Sequence, residues 1–389
     1  MSRVFLITIC SIISLYSQGY EDLLSRAIEN STELQIIQNR EREILLKGEI
    51  SIRKENPNLE LEIADFSSKR VLQENELGTR VGVSHSLLLP SVKADRQQLT
   101  QSRVDVAQEQ YQVKKAELIY SFNIYYLDYK EALKRELLEQ EEVVISKKIL
   151  DIASHRFNAG SIARGELLQA KIGYQEALSL SKLLAIDTIQ RKNSLLLFAK
   201  VTTYEEIQSD HIFSRSSTTS THPLVRLTEK KEEVANAELA LATHTIDEIE
   251  LFSEIEFEPD QDIFRVGITL PLPIFNQKSQ EKQLAQIAIN NQRLTLASQQ
   301  RALELEIPQL QKEITIQEDL QSNYQALVSE QENLLEMYQK AYGIAKVNLL
   351  KLQEIKRQLM SSKTKILEST IAIEQNSIKI NYLQGAYNE

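Results

Sequence analysis

The sequence predicts a mainly α chain with a small β part: long antiparallel coiled-coil helices forming a trimeric α-barrel, plus four membrane-length strands per chain contributing to a shared twelve-stranded β-barrel. Three observations predict it. Apolar residues recur every seven positions on two faces of the same helices, four short segments alternate with a period of two, and each half of the chain reads long helix, hairpin, long helix, turn, long helix.

The sevenfold spacing carries most of the chain. Leu99, Val106, Val113, Tyr120 and Leu127 make one series, and Val104, Tyr111, Leu118 and Tyr125 make a second on the same stretch. Ile289, Leu296, Leu303 and Leu310 follow, then Leu320, Leu327 and Leu334, then Leu352, Leu359, Ile366, Ile373, Ile380 and Tyr387. A strict seven-residue repeat holds an apolar seam against a partner helix and imposes left-handed supercoiling. Two series on one helix require neighbours on both sides, as in a closed ring of helices. Pro308, inside such a stretch, predicts a kink.

The alternating segments are Asn58 to Phe66, Leu77 to Leu87, Glu248 to Glu258 and Phe264 to Leu272. In the third, Ile249, Leu251, Ile255 and Phe257 face one way, and Glu248, Glu250, Glu254, Glu256 and Glu258 face the other. Alternation over about 9–11 residues fits a tilted membrane strand with one face to lipid and one to water. Any one segment also fits a soluble half-buried sheet. Turns are expected at Ser67 to Asn75 and at Glu258-Pro259-Asp260-Gln261-Asp262. Two hairpins cannot close by themselves, and open edges are not tolerated in lipid. A dimer would supply eight strands, too narrow for a conduit; a trimer supplies twelve.

Residues 1–19 read as a secretory leader: Arg3, an apolar run from Val4 to Leu15, then Ser17-Gln18-Gly19. Acylation at Cys10, the sole cysteine, is the less favoured alternative, because only a short apolar stretch precedes it. No later stretch has eighteen consecutive apolar residues, so no helix is expected to span a bilayer. The net charge of −10, spread along the chain, argues against a nucleic-acid partner. Residues 20–208 form the first helix-hairpin-helix repeat, 209–221 a Ser/Thr-rich linker, and 222–389 the second repeat.

Four landmarks carry a resemblance to the outer-membrane efflux protein family, whose type member is TolC, over essentially the whole mature chain. His222-Pro223-Leu224 looks like the start of that family's second half. Leu270-Pro271-Leu272-Pro273-Ile274-Phe275-Asn276 is close to its strand exit and is the most specific match. Arg156 to Ser161, followed by Glu166 to Ala170, looks like its helix-hairpin turn, and Ala341-Tyr342 with Leu349 to Glu354 looks like the second copy. The resemblance implies a homotrimer in the outer membrane, a long periplasmic helical tunnel, and a tip contacted by a periplasmic adaptor linked to an inner-membrane pump. It implies an exit duct for efflux or type I secretion. Departures are Ala345 in place of glycine, Thr32 in place of proline, and Lys351 with Glu354 where acidic residues are common.

No catalytic, cofactor-binding or metal constellation is readable, so no enzyme is expected. His85, His155, His211, His222 and His244 are scattered, with no two at ligand spacing on one helix. The glutamate series from Glu248 to Glu258 reads as a solvated lumen face that also raises local cation concentration. Lys351, Glu354 and Tyr342 are candidates for the pore constriction, with a core position for Tyr342 as the simpler alternative. Arg156, Phe157, Gly160 and Ser161 are candidates for adaptor docking, although glycine after a helix is most often a cap. Two other classes fit an exported coiled-coil chain: a periplasmic adaptor, or a scaffold with no pore. Neither explains four amphipathic strands.

Overall fold

The computed structural model describes residues 19–65, 77–201, 207–217 and 220–387. The expected leader with Cys10 and the first hairpin loop, Ser67 to Asn75, lie outside them. The elements are α1 (Tyr20–Glu29), α2 (Thr32–Ile52), β1 (Asn58–Asp65), β2 (Leu77–Leu88), α3 (Pro90–Asn158), α4 (Arg164–Phe198), α5 (Pro223–Thr243), β3 (Glu248–Phe257), β4 (Asp262–Thr269), α6 (Ser279–Gly343) and α7 (Leu349–Leu383). The chain divides into two compact units, and each draws residues from both sequence repeats. One takes Met1–Ser31, Lys115–Ser220 and Glu304–Glu389; the other takes Thr32–Lys114 and Thr221–Leu303.

In the second of these units the strands form one antiparallel sheet in the order β1-β2-β3-β4. Its registers put the alternation on a common footing: Leu61 pairs with Val81, Val81 with Ile255, and Ile255 with Phe264. One face is therefore apolar across all four strands. Leu59, Leu61, Ile63, Phe264, Val266 and Ile268 on it are exposed, and β1 and β4 are edge strands with one side unpaired within the chain. β4 stops at Thr269, short of Leu272, because Pro271 and Pro273 have no N–H for the ladder. The helices of this unit touch in the order α2-α3-α5-α6. A Cβ on Gly48 would lie 2.2 Å from Thr100 Cγ2, so glycine lets α2 approach α3. Arg103–Glu238 (3.0 Å) links α3 to α5, and Arg293–Glu232 (2.8 Å) links α6 to α5.

The other unit is built on an aromatic core. Tyr20 stacks on His211 with centroids 3.7 Å apart and meets Phe122, Tyr126 and Phe213 edge-on or tilted. The segment expected to link the repeats is a packed strap over its described residues. Phe213 is in the core, the Asn381 amide donates to the Ser214 carbonyl (2.9 Å), and the Ser216 N–H donates back to Asn381 Oδ1 (2.8 Å). Beneath it Lys130 and Glu374, 3% and 5% exposed, form an ion pair at 2.7 Å, and Lys130 also donates to the His211 carbonyl.

The heptad series behave as expected in part. Leu127, Leu352, Leu359 and Ile380 are buried, but Leu320, Leu327 and Leu334 on α6 are exposed. Pro308 lies inside α6, and helix assignment continues unbroken through it.

The duplication is also written in the helix ends. After α3, the Gly160 N–H bonds to the Phe157 carbonyl and the Ser161 N–H to that of Arg156, a Schellman cap with Gly160 at φ 71°. After α6, Ala345 (φ 63°) and Lys346 repeat those bonds to Tyr342 and Ala341. After α4 and α7 the same cap recurs at Lys200 (φ 54°) and Gly385 (φ 71°). One interval, 185 residues, separates Gly160 from Ala345 and Lys200 from Gly385.

Candidate functional site

Two places gather the residues singled out by sequence: the pair of helix turns and the polar face of the sheet. At the turns, Phe157, Gly160 and Ser161 are exposed, and a Cβ on Gly160 would meet nothing within 4 Å. Arg156 differs. It is directed inward, with its guanidinium 4.5 Å above the Tyr342 ring and 3.7 Å from the Glu166 carboxylate. Its Nε and Nη1 are buried without a hydrogen-bond partner, held beside the ring and the carboxylate inside the turn.

Tyr342 has a fully buried side chain, in a cluster with Ile149, Ala153, Leu349 and Leu352. It occupies the core of the turn in this chain, the simpler of the two placements expected for it. Burial, then the neighbouring Glu166 carboxylate, pushes its phenol up to about 12, so it stays protonated at any working pH. Lys351 is in the first turn of α7 and Glu354 in the second, paired with each other at 3.0 Å. Asn348 caps that helix by accepting from the Lys351 N–H at 2.9 Å, which fixes where the pair begins. The hydrogen bond to Glu354 holds the Lys351 ammonium above its usual range.

On the sheet, the glutamates share the polar face with two arginines. Arg80 bonds to Glu62 (2.9 Å) and Glu256 (3.2 Å), and Arg265 bonds to Glu254 (2.8 Å) and Glu256 (2.6 Å). An ionic row thus crosses β1, β2, β3 and β4, with Glu256 buried at its centre. Sequence reading placed these side chains on the right face and missed the row. The signal was available: Arg80 and Arg265 are themselves separated by the repeat interval, and each faces a glutamate across its own hairpin.

Three histidines have structural work. His211 stacks on Tyr20, His222 Nδ1 accepts the Leu224 N–H (3.1 Å) at the start of α5, and His244 Nε2 meets Asp95 at 2.6 Å. Among the described residues no three His, Cys, Asp or Glu are grouped to hold a metal ion, and no helix is long and apolar enough to cross a membrane.

Sequence gave no hint of Glu139 on α3. Its carboxylate is buried with Oε1 lacking a hydrogen-bond partner, and burial, reinforced by Glu142 and opposed by Lys356, pushes it up to about 7. Between its ordinary value of 4.5 and about 7 the folded chain binds the proton that the unfolded chain has released, so stability falls as pH rises through that window. Glu139→Gln is expected to raise stability at pH 8 by about 2 kcal/mol and to leave it nearly unchanged at pH 4. Melting curves of both proteins at the two pH values check this.

No family model matches the chain, and no curated protein matches it in sequence. Solved structures match it along nearly their whole length. CusC, studied for transmembrane channel formation, aligns with a TM-score of 0.77 at 16% identity, over 94% of this chain and 91% of that one. The outer membrane protein VceC of Vibrio cholerae gives 0.73 at 13%, over 94% and 96%, and the open MtrE outer membrane channel of Neisseria gonorrhoeae 0.71 at 15%, over 94% and 88%. The chain has the fold of the outer-membrane channels. That channel fold is the one implied by the resemblance to the TolC family, mainly helical with a small antiparallel sheet. Within the channel fold, this chain differs in identity at more than four positions in five from each of the three structures.

Proposed function

We propose that the chain is the outer-membrane exit duct of a tripartite efflux or type I secretion system. Copies assemble as a homotrimer, with the strands in outer-membrane lipid and the helices extending into the periplasm. The observation that carries this reading is the open sheet. Four strands with one continuous apolar face and two bare edges are unstable alone in lipid and are satisfied by closure with further copies. A scaffold coiled coil has no use for such a face. The polar face with its ionic row then lines the lumen, and Lys351 and Glu354 face the narrow end of the tunnel. The resemblance to the TolC family supplies the partners, a periplasmic adaptor and an inner-membrane pump, with Phe157, Gly160 and Ser161 at the docking tip.

The test is conductance. Purified protein should run as a trimer by native mass measurement and open channels in planar bilayers. Three paired Lys351–Glu354 sets leave the constriction nearly neutral, so block by divalent cations should be weak. Lys351→Asp should strengthen that block at least tenfold, because it leaves six unpaired carboxylates. Unchanged block removes Lys351 from the pore, and a monomer without conductance removes the duct.

A further inference from the structure

The strand registers assign every sheet residue to one face, and one aromatic falls on the polar side. Phe252 lies between Glu250 and Glu254 on β3, so it projects from the same face as those carboxylates. Among the described residues of the four strands it is the only aromatic on that face. Its row across the sheet is Asn58, Ser84, Phe252 and Gly267, with no other bulky side chain. The ring extends over Gly267: a Cβ there would lie 2.4 Å from Phe252 Cζ and 2.5 Å from Cε1. Glycine at 267 is what gives the ring its place.

The duplication shows what was exchanged. The interval that relates Arg80 to Arg265 carries Gly82 to Gly267, and Glu60 stands opposite Gly82 where Phe252 stands opposite Gly267. Around Gly82 a Cβ would meet nothing closer than 3.7 Å. One hairpin thus keeps a carboxylate at this place and the other carries an aromatic. Cover of a strand glycine by an aromatic steadies a sheet, which accounts for the contact with Gly267. It does not call for the charges alongside. Phe252 remains half-buried, and Glu250, about 7 Å along the strand, has only the uncharged Ser86 and Thr269 as cross-strand neighbours. Arg265, the nearby cation, is held by Glu254 and Glu256, so its charge is balanced. The face of a benzene ring is its negative side and attracts cations.

We propose that Phe252 and Glu250 form a binding site for apolar organic cations on the polar face of the sheet. The ring takes the apolar surface of the ligand and the carboxylate takes its charge. The placement of this site in a lumen rests on the duct reading above; binding itself does not. In a duct the site holds such a cation briefly on its way through, at a place separate from the Lys351–Glu354 pair. A small metal cation has no apolar surface for the ring, and an organic anion meets the carboxylate.

The sequence has no tryptophan, so Phe252→Trp installs a single fluorophore at the site. In detergent-solubilised protein, tetraphenylphosphonium should quench it saturably, and tetraphenylborate, alike in shape and opposite in charge, should not. Glu250→Gln in that background should weaken the cation by about threefold or more. Phe264→Trp, on the opposite face, reads partition into detergent and should show no saturation. In planar bilayers, Phe252→Leu keeps an apolar side chain over Gly267 and should shorten each tetraphenylphosphonium block about two- to fivefold, with divalent block unchanged. Equal saturable quenching by both ions, or the same quenching at Phe264→Trp, overturns the site. Unchanged tetraphenylphosphonium block by conducting Phe252→Leu channels overturns it too and leaves the duct standing. A protein that conducts nothing fails the duct reading, and the fluorescence measurement still decides the site.

Discussion

Glu374→Ala is expected to cost about 3–5 kcal/mol of stability, because it leaves the Lys130 ammonium buried without its counter-ion. The pair is nearly sealed from water, so the lost attraction cannot be replaced by solvent. Only the His211 carbonyl remains to accept from Lys130. Since a buried pair repays little more than its own desolvation, removing both charges should be far milder than removing one. Lys130→Met combined with Glu374→Leu should therefore recover most of the loss. The remainder would come from the His211 carbonyl, which then has no ammonium to accept from. Thermal dissociation of the assembled protein in detergent, compared across wild type, single and double variants, measures this. A double variant as damaged as Glu374→Ala would mean that the pair sets the local geometry as well as its own charge balance.

Gly160→Val should abolish export while the protein still reaches the outer membrane in normal amounts. Gly160 sits at φ 71°, where an L residue pays about 1–2 kcal/mol and a β-branched one more. The space around it is open, so the penalty is conformational and is not a clash. Ala345 holds the same position in the second turn at φ 63°, which shows that this cap tolerates a single methyl. Gly160→Ala should accordingly export normally, and Gly160→Val should distort the exposed Phe157 to Ser161 surface without unfolding the helices behind it. Substrate accumulation paired with in-cell crosslinking to the adaptor separates the outcomes. Normal export by the valine variant would reduce the turn to a helix cap.

The long elements were legible because their physics is local. Heptad spacing and alternation read directly onto helices and strands, and the strands came within a few residues of their observed ends. What escaped was set by packing between distant segments. The strap after Ile207 reads as a polar linker, yet Phe213 and the Asn381 amide hold it on the core. Arg156 reads as a free donor at a helix end until Tyr342 and Glu166 are seen beside it. Glu139 reads as one more solvated glutamate in a charged helix, since nothing local shows that it is buried. Leu320 and Leu327 mark the opposite case: the heptad named an apolar face that this chain leaves exposed.

The ionic row on the sheet also bears on how the strands could enter a membrane. Arg80 finds Glu62 only 18 residues away and Arg265 finds Glu254 only 11 away, whereas Arg80 and Glu256 are 176 apart. Short loops close with the smaller entropy loss, so each hairpin can neutralise its own arginine before the four strands meet. An arginine arriving unpaired at mid-bilayer would face a penalty of about 2–4 kcal/mol. The chain thus delivers two hairpins whose arginines are already paired, and the long-range contact from Arg80 to Glu256 is left as the final stitch that joins them.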